Sequence, residues 1–199
     1  MGSFGEKNPS GTPDVSGAAS GEHHPRSSGR DRGPMLLFGL KFGALMASYY
    51  AVILLPSFDR LLYVYLRANA WASNAVINLL GQSSHVFGVT IRSSGFAIGV
   101  RRGCDAVEPA WFFCAAVFSF PAALSRKIPG ILAGAAAILV LNLARIVSLF
   151  FIGLHCRGLF SIMHLEIWPA AFIVVAVLLW MGWIRWARRT ARSELHATK

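Results

Sequence analysis

The sequence predicts an all-α polytopic membrane protein with four transmembrane helices, an interfacial helix and a short extracytoplasmic β-hairpin. The first observation is composition, because 55% of the 199 residues are hydrophobic and only 14% are charged, against roughly 25% in a typical soluble domain. The second is a set of apolar runs of about 20 residues, the length that crosses a hydrocarbon core of about 30 Å. The third is that basic residues lie mostly outside those runs, as they do in membrane proteins oriented by positive charge.

The chain begins with a segment that has no hydrophobic core of its own. Residues 1–34 are rich in Gly, Ser, Pro and His and contain almost no bulky apolar side chain, so burial cannot offset the entropy of ordering them. We predict a disordered cytoplasmic tail, and not a signal peptide, because the apolar run starts too late and lasts too long. Residues 35–184 form the predicted transmembrane domain, and its first span at 36–55 contains Lys41 as its single charge.

Two segments of different character follow the first span. Residues 61–80 repeat apolar side chains at helical spacing but include Arg67 and several amides, which favours a helix in the membrane interface. If this helix crosses instead, the protein has five spans and an outer N-terminus. Residues 86–100 are alternating and β-branched with Ser-Ser-Gly at their centre, which predicts a hairpin. A two-stranded ribbon has unpaired edges that lipid cannot satisfy, so the hairpin is expected outside the bilayer.

The remaining spans and the basic residues between them predict the orientation. Spans are expected at 106–124, 128–154 and 165–183, joined by a basic turn at 125–127 and a loop at 155–163, and followed by a basic cytoplasmic tail at 185–199. Cytoplasmic segments carry the excess of Lys and Arg, so the turn, the tail and the N-terminus are expected inside. The net charge of +10 therefore reflects membrane orientation, and no nucleic-acid partner is expected.

A possible reaction centre combines three residues that are far apart in sequence. Cys104 precedes the second span, Arg145 lies within the third and His164 begins the fourth, so the topology brings them to one depth on the non-cytoplasmic side. A charge inside a span typically costs about 2.5–3.5 kcal/mol on insertion scales and is a functional hypothesis by default. A thiolate is favoured at a helix N-terminus, an imidazole moves its proton, and a guanidinium stabilises an oxyanion or holds the substrate. This set predicts acyl transfer through a thioester.

The other polar and sulfur-containing side chains of the spans have simpler alternatives. Asn142 shares a helix face with Arg145, where it would help to position the guanidinium and the substrate, or only mediate a contact between helices. Cys114 lies about ten residues into the second span and is expected to pack as a small hydrophobe. With three cysteines and no Cys-x-x-Cys pair, the sequence offers neither a disulfide framework nor a zinc ribbon, and no metal or cofactor is expected.

His155 and Cys156 provide competing hypotheses in the predicted outer loop. His155 is an alternative to His164 as the base, and Cys156 is a candidate disulfide partner for Cys104, which would make the chain an outward-facing thiol–disulfide protein. A third alternative is a non-enzymatic transporter or assembly factor whose Arg145 lines a polar cavity. No internal repeat of the transporter kind is evident in the sequence.

The order of these elements resembles the exosortase/archaeosortase family. Cys104 comes first, followed by an Asn-x-x-Arg-Ile element at residues 142–146 and by His164 within MHLEIWP. The short chain and the His-x-x-Ile-Trp-Pro element resemble the compact exosortases of Gram-negative bacteria, near the type H subfamily. The resemblance covers roughly residues 36–184.

This resemblance implies a membrane cysteine transpeptidase of the bacterial inner membrane with its active site on the periplasmic side. Cys104 would be the nucleophile, His164 the acid and base, and Arg145 the stabiliser of the substrate carbonyl or oxyanion. The implied partners are membrane lipids, exported proteins with a C-terminal sorting signal (a short motif, a transmembrane helix and a basic tail) and an unidentified acceptor nucleophile. The reaction ends in transfer or in hydrolysis.

The residue after the cysteine departs from the family pattern. Many members continue with Ser-Gly or Asn-Gly, whereas this chain continues with Asp105 and Ala106. A carboxylate beside a thiol disfavours the thiolate, while Arg101 and Arg102 favour it. The sequence therefore predicts opposing electrostatic effects on Cys104.

Overall fold

The computed structural model describes residues 32–197, with side chains described for residues 33–190. The predicted disordered tail, residues 1–34, lies outside the described residues apart from the first residues of helix α1. The chain is mostly helical, with one small sheet between the second and third helices, in the order α1 Arg32–Val52, α2 Pro56–Leu79, β1 His85–Phe87, β2 Thr90–Arg92, β3 Ala97–Gly99, α3 Val107–Ser119, α4 Leu124–His155, α5 Phe160–Ile162 and α6 Trp168–Ala197.

Within the described part, three helical segments are long and apolar enough to cross a membrane. They are Gly33–Val52, Leu124–His155 and Arg157–Thr190. These segments overlap the spans predicted at 36–55, 128–154 and 165–183. The α-helical membrane class is thus supported by three helices that meet the length and hydropathy of a span.

The span predicted at 106–124 is wrong in its length. Helix α3 has 13 residues, which at 1.5 Å per residue gives about 20 Å, less than the hydrocarbon core of about 30 Å. The helix ends before Pro121, whose ring disfavours the helical conformation for the residue before it, and Phe120 is extended with ψ at 139°. α3 is therefore an apolar helix that is shorter than the three candidate spans.

The predicted basic turn at 125–127 is also wrong, because these residues form the first turn of the 32-residue helix α4. Two hydrogen bonds fasten this turn to α6. The Arg126 guanidinium donates to the Ala187 carbonyl over 3.1 Å, and the Trp183 indole donates to the Arg126 carbonyl over 3.0 Å. In a solvent-exposed turn, these polar groups would be hydrogen-bonded to water, whereas here they are hydrogen-bonded to α6.

The loop predicted at 155–163 is helical instead. After α4 ends at His155, a 3₁₀ turn at Arg157–Leu159, the single turn α5 and a π-helical turn at Met163–Ile167 lead without a break into α6. Helix α6 then runs to Ala197, so the predicted boundary between span and tail at residue 184 is not a helix end. This path places His164 on a helical turn rather than on a loop.

Helix α2 begins earlier than the predicted segment at 61–80, with Pro56 in its first turn. Its buried side chains recur every three or four residues along one face, as an amphipathic helix requires: Leu62, Leu66, Ala70, Ser73 and Ile77. It does not count among the described helices that are apolar enough to span. The amphipathic helix is confirmed, and its position in the membrane interface stays a prediction.

The predicted two-stranded hairpin at 86–100 is a three-stranded antiparallel sheet with the order β1-β2-β3. An additional reversal at Gly88, whose φ is 62°, separates β1 from β2, and the Ser-Ser-Gly segment forms the second turn. Glycine adopts this left-handed conformation without steric cost. The sheet packs through Ile91 and Val100 against Phe150 of α4, in a core shared with α2.

Close approach between the sheet and α4 depends on Gly153. A Cβ atom at this position would lie 2.1 Å from Cζ of Phe96. The Phe96 ring is itself packed edge-on against Phe150 and Phe160, with centroids 6.1 and 5.7 Å away. A second core, between α3, α4 and α6, is formed around Phe113 and Ile138. The candidate site lies where the sheet, α4 and the start of α6 meet.

Candidate active site

The loop that carries Cys104 has an unusual backbone on both sides of the cysteine. Gly103 has a φ of 89°, and Ala106 is the one non-glycine residue of the described chain with positive φ, at 58°. Such a conformation is uncommon for residues with a Cβ atom, and it persists here because Ala106 is buried. The Cys104 amide donates to the Arg101 carbonyl over 2.8 Å. The cysteine thus lies at a fixed point of a tight turn.

The predicted catalytic residues lie together around the Cys104 sulfur. Sγ is 3.7 Å from Nε2 and 3.8 Å from Nδ1 of His164, so it is about equally far from the two ring nitrogens. The Arg145 Nη2 atom is 3.8 Å from the same sulfur. One thiol therefore contacts both an imidazole and a guanidinium.

Arg145 is buried, and its contacts are aromatic and carbonyl rather than acidic. Its Nη1 donates to the Gly103 carbonyl over 3.2 Å, and its guanidinium lies over the Phe172 ring at 5.6 Å from the centroid. The Nε atom is buried and has no hydrogen-bond partner in the described part of the chain. Among the described residues no carboxylate forms an ion pair with Arg145. A buried charge of this kind gains from any negative charge that forms beside it.

His164 is held by the π-helical turn that precedes α6. Its ring stacks on Phe160, with centroids 5.6 Å apart and an angle of 14° between the ring planes. π-Helical turns are frequent at functional sites, because the additional residue changes the direction of the side chains around it. Phe160 and the turn together orient the imidazole toward Cys104.

The environment of Cys104 favours its thiol form. Burial raises the pKa of this thiol above its ordinary value of 9.0, Arg145 lowers it and Asp105 raises it, with burial the largest of the three effects. The sequence predicted that the α3 N-terminus would favour the thiolate. The Val107 amide at this N-terminus instead donates a hydrogen bond to Oδ1 of Asp105 over 3.1 Å. Of the effects predicted from sequence, the one of Asp105 is confirmed, whereas the charge that lowers the pKa is Arg145 and not Arg101 or Arg102. With burial added, the result is a raised pKa.

Asn142 lies away from the sulfur, although it precedes Arg145 by one turn. Its side chain is fully buried, and Nδ2 donates to Oδ1 of Asn69 on α2 over 3.1 Å. Its Oδ1 accepts no hydrogen bond from any described residue, Arg145 included. Asn142 does not line the cavity that holds Cys104. The geometry favours the contact between helices over the positioning of substrate.

The competing residues of the predicted outer loop are separate from this group. His155 is exposed, and its Nδ1 is 3.0 Å from the Phe151 carbonyl within its own helix. Cys156 is exposed and Cys114 is partly buried, and both are free thiols, as is Cys104. The structure therefore contains no Cys104–Cys156 disulfide, and the histidine beside the Cys104 sulfur is His164.

A cavity of about 440 Å³ opens onto this group. One wall is the segment from Phe96 through Arg102, which includes strand β3, and the other walls carry Cys104, Arg145 and His164 with apolar residues of α4. Sequence reasoning did not assign this strand to the site, and the single available signal was its closeness in sequence to Cys104. Within the described part no group of three His, Cys, Asp or Glu residues is arranged to hold a metal ion.

Comparison with known proteins adds no relative to this description. No family model matches the chain, and neither a curated protein nor a solved structure matches it. Function is therefore inferred from the geometry around Cys104 and from the order of motifs in the sequence.

Proposed function

We propose that this protein is a membrane cysteine transpeptidase or endopeptidase of the exosortase kind, which cleaves C-terminal sorting signals from exported proteins through a thioester. The observation that carries the proposal is the contact of one sulfur, Cys104 Sγ, with both the His164 ring and the Arg145 guanidinium. The order of Cys104, Arg145 and His164 in the sequence, which resembles the exosortases, supports the same chemistry.

In the proposed acylation, His164 accepts the Cys104 proton, and Sγ attacks the carbonyl carbon of the scissile amide. The new S–C bond produces a tetrahedral oxyanion, whose charge the Arg145 guanidinium stabilises. When the C–N bond breaks, His164 gives its proton to the departing amine. The products are a thioester on Cys104 and the released transmembrane signal with a free amino group.

In the proposed second step, an acceptor with an O–H or N–H group attacks the thioester. His164 removes the acceptor proton, the new bond to the acyl carbon forms, and the C–S bond breaks. The proton then returns to the sulfur, which restores the Cys104 thiol and the neutral imidazole. Water as acceptor gives hydrolysis, and an amine or alcohol gives transfer.

The lone charge of Arg145 supports its role in this sequence of steps. The site contains a buried guanidinium that pairs with no carboxylate of the described residues, and a thiol whose pKa is raised, chiefly by burial. Both the thiolate and the oxyanion are anions that would form beside this cation. An interaction that becomes stronger as the reaction proceeds lowers the barrier, which a permanent ion pair with a carboxylate would not do.

The membrane setting of the proposal follows the charge pattern of the sequence. We place the protein in the bacterial inner membrane, with the α4 N-terminus and the basic C-terminal tail in the cytoplasm. Cys104 and His164 then belong to the periplasmic side, where exported substrates arrive. The substrate would bring its own transmembrane helix, so the scissile bond and the site would meet near the membrane surface.

The proposal is tested by processing in the native host. A strain in which Cys104→Ala replaces the native protein is expected to accumulate exported proteins that keep their C-terminal helix and basic tail, detected by mass spectrometry of intact membrane proteins. Cys114→Ala is the matched control, because Cys114 lies in α3 away from the cavity, and it should process normally. Normal processing by Cys104→Ala would remove Cys104 as the nucleophile and favour the transporter or assembly alternative. A requirement for Cys156 as well would instead favour the thiol–disulfide alternative.

A further inference from the structure

Within the described residues, strand β3 has one edge without a partner strand, and this edge belongs to the wall of the candidate site. The sheet order β1-β2-β3 leaves β3 paired on one side alone. Its three residues, Ala97–Gly99, all line the cavity that also contains Cys104, Arg145 and His164. A cavity on the face of a strand would be lined by every second residue, because side chains alternate between the two faces. Here consecutive residues line the wall. The cavity therefore runs along the edge of the strand.

The hydrogen bonds of the sheet show which main-chain groups face the cavity. Val100 N donates to the Val89 carbonyl, and Ser93 N donates to the Phe96 carbonyl, each over 2.9 Å. In an antiparallel pair, residues alternate between facing the partner strand and facing away from it. Phe96 and Val100 face β2, so Ala97 and Gly99 direct their N–H and C=O groups to the open side. Among the described residues, no hydrogen bond from outside the sheet reaches these groups.

We propose that the open edge of β3 binds the substrate as an additional β-strand, so that an extended peptide next to the scissile bond pairs with the main chain of Ala97 and Gly99. This inference rests on the proposed function and assigns the element that aligns the peptide with Cys104. Recognition by strand addition takes its affinity from main-chain hydrogen bonds, and its selectivity from pockets for alternate side chains.

The chemistry of the surroundings favours a polypeptide as the occupant. Lipid chains cannot satisfy an unpaired strand edge, and an open edge is a site that other chains pair with unless it is blocked. Main-chain groups of a peptide supply the matching donors and acceptors. The volume of about 440 Å³ falls within the usual range for cavities that hold ligands, roughly 300–1,000 Å³.

The test uses a peptide electrophile on the purified full-length protein in detergent. The probe is N-acetyl-tetraalanyl chloromethyl ketone, and its reference is chloroacetone, which carries the same reactive group without the peptide. In each reaction Sγ of Cys104 forms a bond to the methylene carbon, chloride leaves with the bonding electrons of the C–Cl bond, and the thiol proton passes to His164 or solvent. Intact-protein mass spectrometry gives the rate of labelling.

We expect the tetraalanyl probe to label Cys104 at least about tenfold faster than chloroacetone, since two or more main-chain hydrogen bonds contribute. N-Methylation of the probe should reduce this acceleration at every second residue and leave it unchanged at the residues between. Equal rates for the two reagents, or a methylation effect without this period of two, would overturn the proposal. This scan uses the unmodified protein, so it does not depend on the folding of a variant.

A pair of proline variants tests the edge itself. Ala97→Pro removes an N–H group that faces the cavity, and proline is tolerated at such an edge position. Val86→Pro is the matched control, because the register Val86↔Ile91 puts its main chain on the outer edge of β1, at the opposite side of the sheet. Ala97→Pro should lose most of the acceleration by the tetraalanyl probe, and Val86→Pro should keep it. Full acceleration in a folded Ala97→Pro protein would contradict pairing at this residue.

The same experiment separates this inference from the proposed function. If chloroacetone labels Cys104 in a manner that depends on Arg145 and His164 but the peptide gives no acceleration, strand addition is wrong and the reactive site remains. If labelling of Cys104 by either reagent is insensitive to Arg145→Gln and His164→Ala, the proposed catalytic group itself fails.

Discussion

The Arg145 guanidinium approaches the Cys104 sulfur to 3.8 Å while one of its other nitrogens donates to the Gly103 carbonyl over 3.2 Å. The second bond fixes the arginine to the turn that carries the cysteine, so the cation and the sulfur belong to one rigid unit. Because no described carboxylate pairs with Arg145, the strongest electrostatic response of this group is to charge that forms on the sulfur or on a bound substrate. The effect of Arg145 on the reactivity of Cys104 can be measured without knowledge of the substrate.

Replacement of Arg145 should make Cys104 less reactive. Arg145 lowers the pKa of the thiol, so its removal raises that pKa further and decreases the thiolate fraction at any pH below it. For Arg145→Gln we expect labelling of Cys104 by iodoacetamide at pH 8 to slow several-fold, with the rate profile displaced to higher pH. Arg92→Gln, on strand β2 and over the Phe87 ring, is the control and should label like the unmodified protein. Faster labelling of Arg145→Gln would contradict the direction of this effect.

Replacement of Asp105 should act in the opposite direction. The Asp105 carboxylate raises the pKa of Cys104, so Asp105→Asn is expected to shift the labelling profile to lower pH and to accelerate labelling at pH 8 several-fold. Asparagine keeps an oxygen that can accept the Val107 amide, so the start of α3 is preserved. The direction of the change in labelling rate distinguishes the two roles of Asp105. Slower labelling would mean that Asp105 acts by holding the turn and not by its charge.

In the unliganded protein the labelling rate should still be rising at pH 9. Burial raises the pKa of Cys104 above its ordinary 9.0, and the thiolate is the form that predominates above the pKa. A rate profile measured for Cys104 by peptide mass spectrometry, against free N-acetylcysteine in the same sample, provides the reference. Cys104 should reach half of its maximal rate at a higher pH than the free thiol, and the reverse order would show that the arginine outweighs burial.

Substitution of Gly153 should displace the wall of the cavity. A Cβ atom there would lie 2.1 Å from Cζ of Phe96, and that ring has little room because Phe150 and Phe160 pack against it. We expect Gly153→Ala to destabilise the protein by about 1–3 kcal/mol, the usual cost of overpacking, seen as a lower Tm in detergent.

Gly158→Ala is the control for this substitution, since nothing lies within 4 Å of a Cβ atom at that position. The control should melt close to the unmodified protein. A Tm for Gly153→Ala equal to that of the control would mean that the Phe96 ring moves aside at no cost, and that the wall is more adaptable than its packing indicates.

The two proposed roles of Asn142 give different results in a double-mutant cycle. If Asn142 only joins α4 to α2, Asn69→Ala leaves the buried Asn142 amide without its partner, at about 1–3 kcal/mol, and Asn142→Ala leaves the partly buried Asn69 amide without its partner. The double variant should then lose less stability than the sum of the two, and the pH profile of Cys104 labelling should not move. If the pH profile of Cys104 labelling moves and the stability losses of the two single variants add up in the double variant, Asn142 positions Arg145.

Much of the helical organisation followed from the sequence because transfer into lipid depends on local composition and length. The apolar runs in the sequences of α1, α4 and α6 predicted these helices. The order of Cys104, Arg145 and His164 along the chain predicted that their side chains form one group. The end of α3 was also signalled in the sequence, since Pro121 disfavours a helical conformation at Phe120, although Pro129 lies inside α4. Strand β1, which the predicted hairpin lacked, was harder to predict, because the turn at Gly88 that joins it to β2 carries a weaker sequence signal than Ser-Ser-Gly.

What the tertiary structure decided are the relationships between distant parts of the chain. Cys104 and His164 are 60 residues apart in sequence, and their contact depends on how α3, α4 and the π-helical turn before α6 pack. The sign of the Cys104 pKa shift depends on burial, on Arg145 and on Asp105 together, and composition does not give their distances. The same holds for the pairing of Asn142 with Asn69 and for the open edge of β3 along the cavity. Hydrophobicity is a property of each segment, whereas a reactive site is a property of distances between segments.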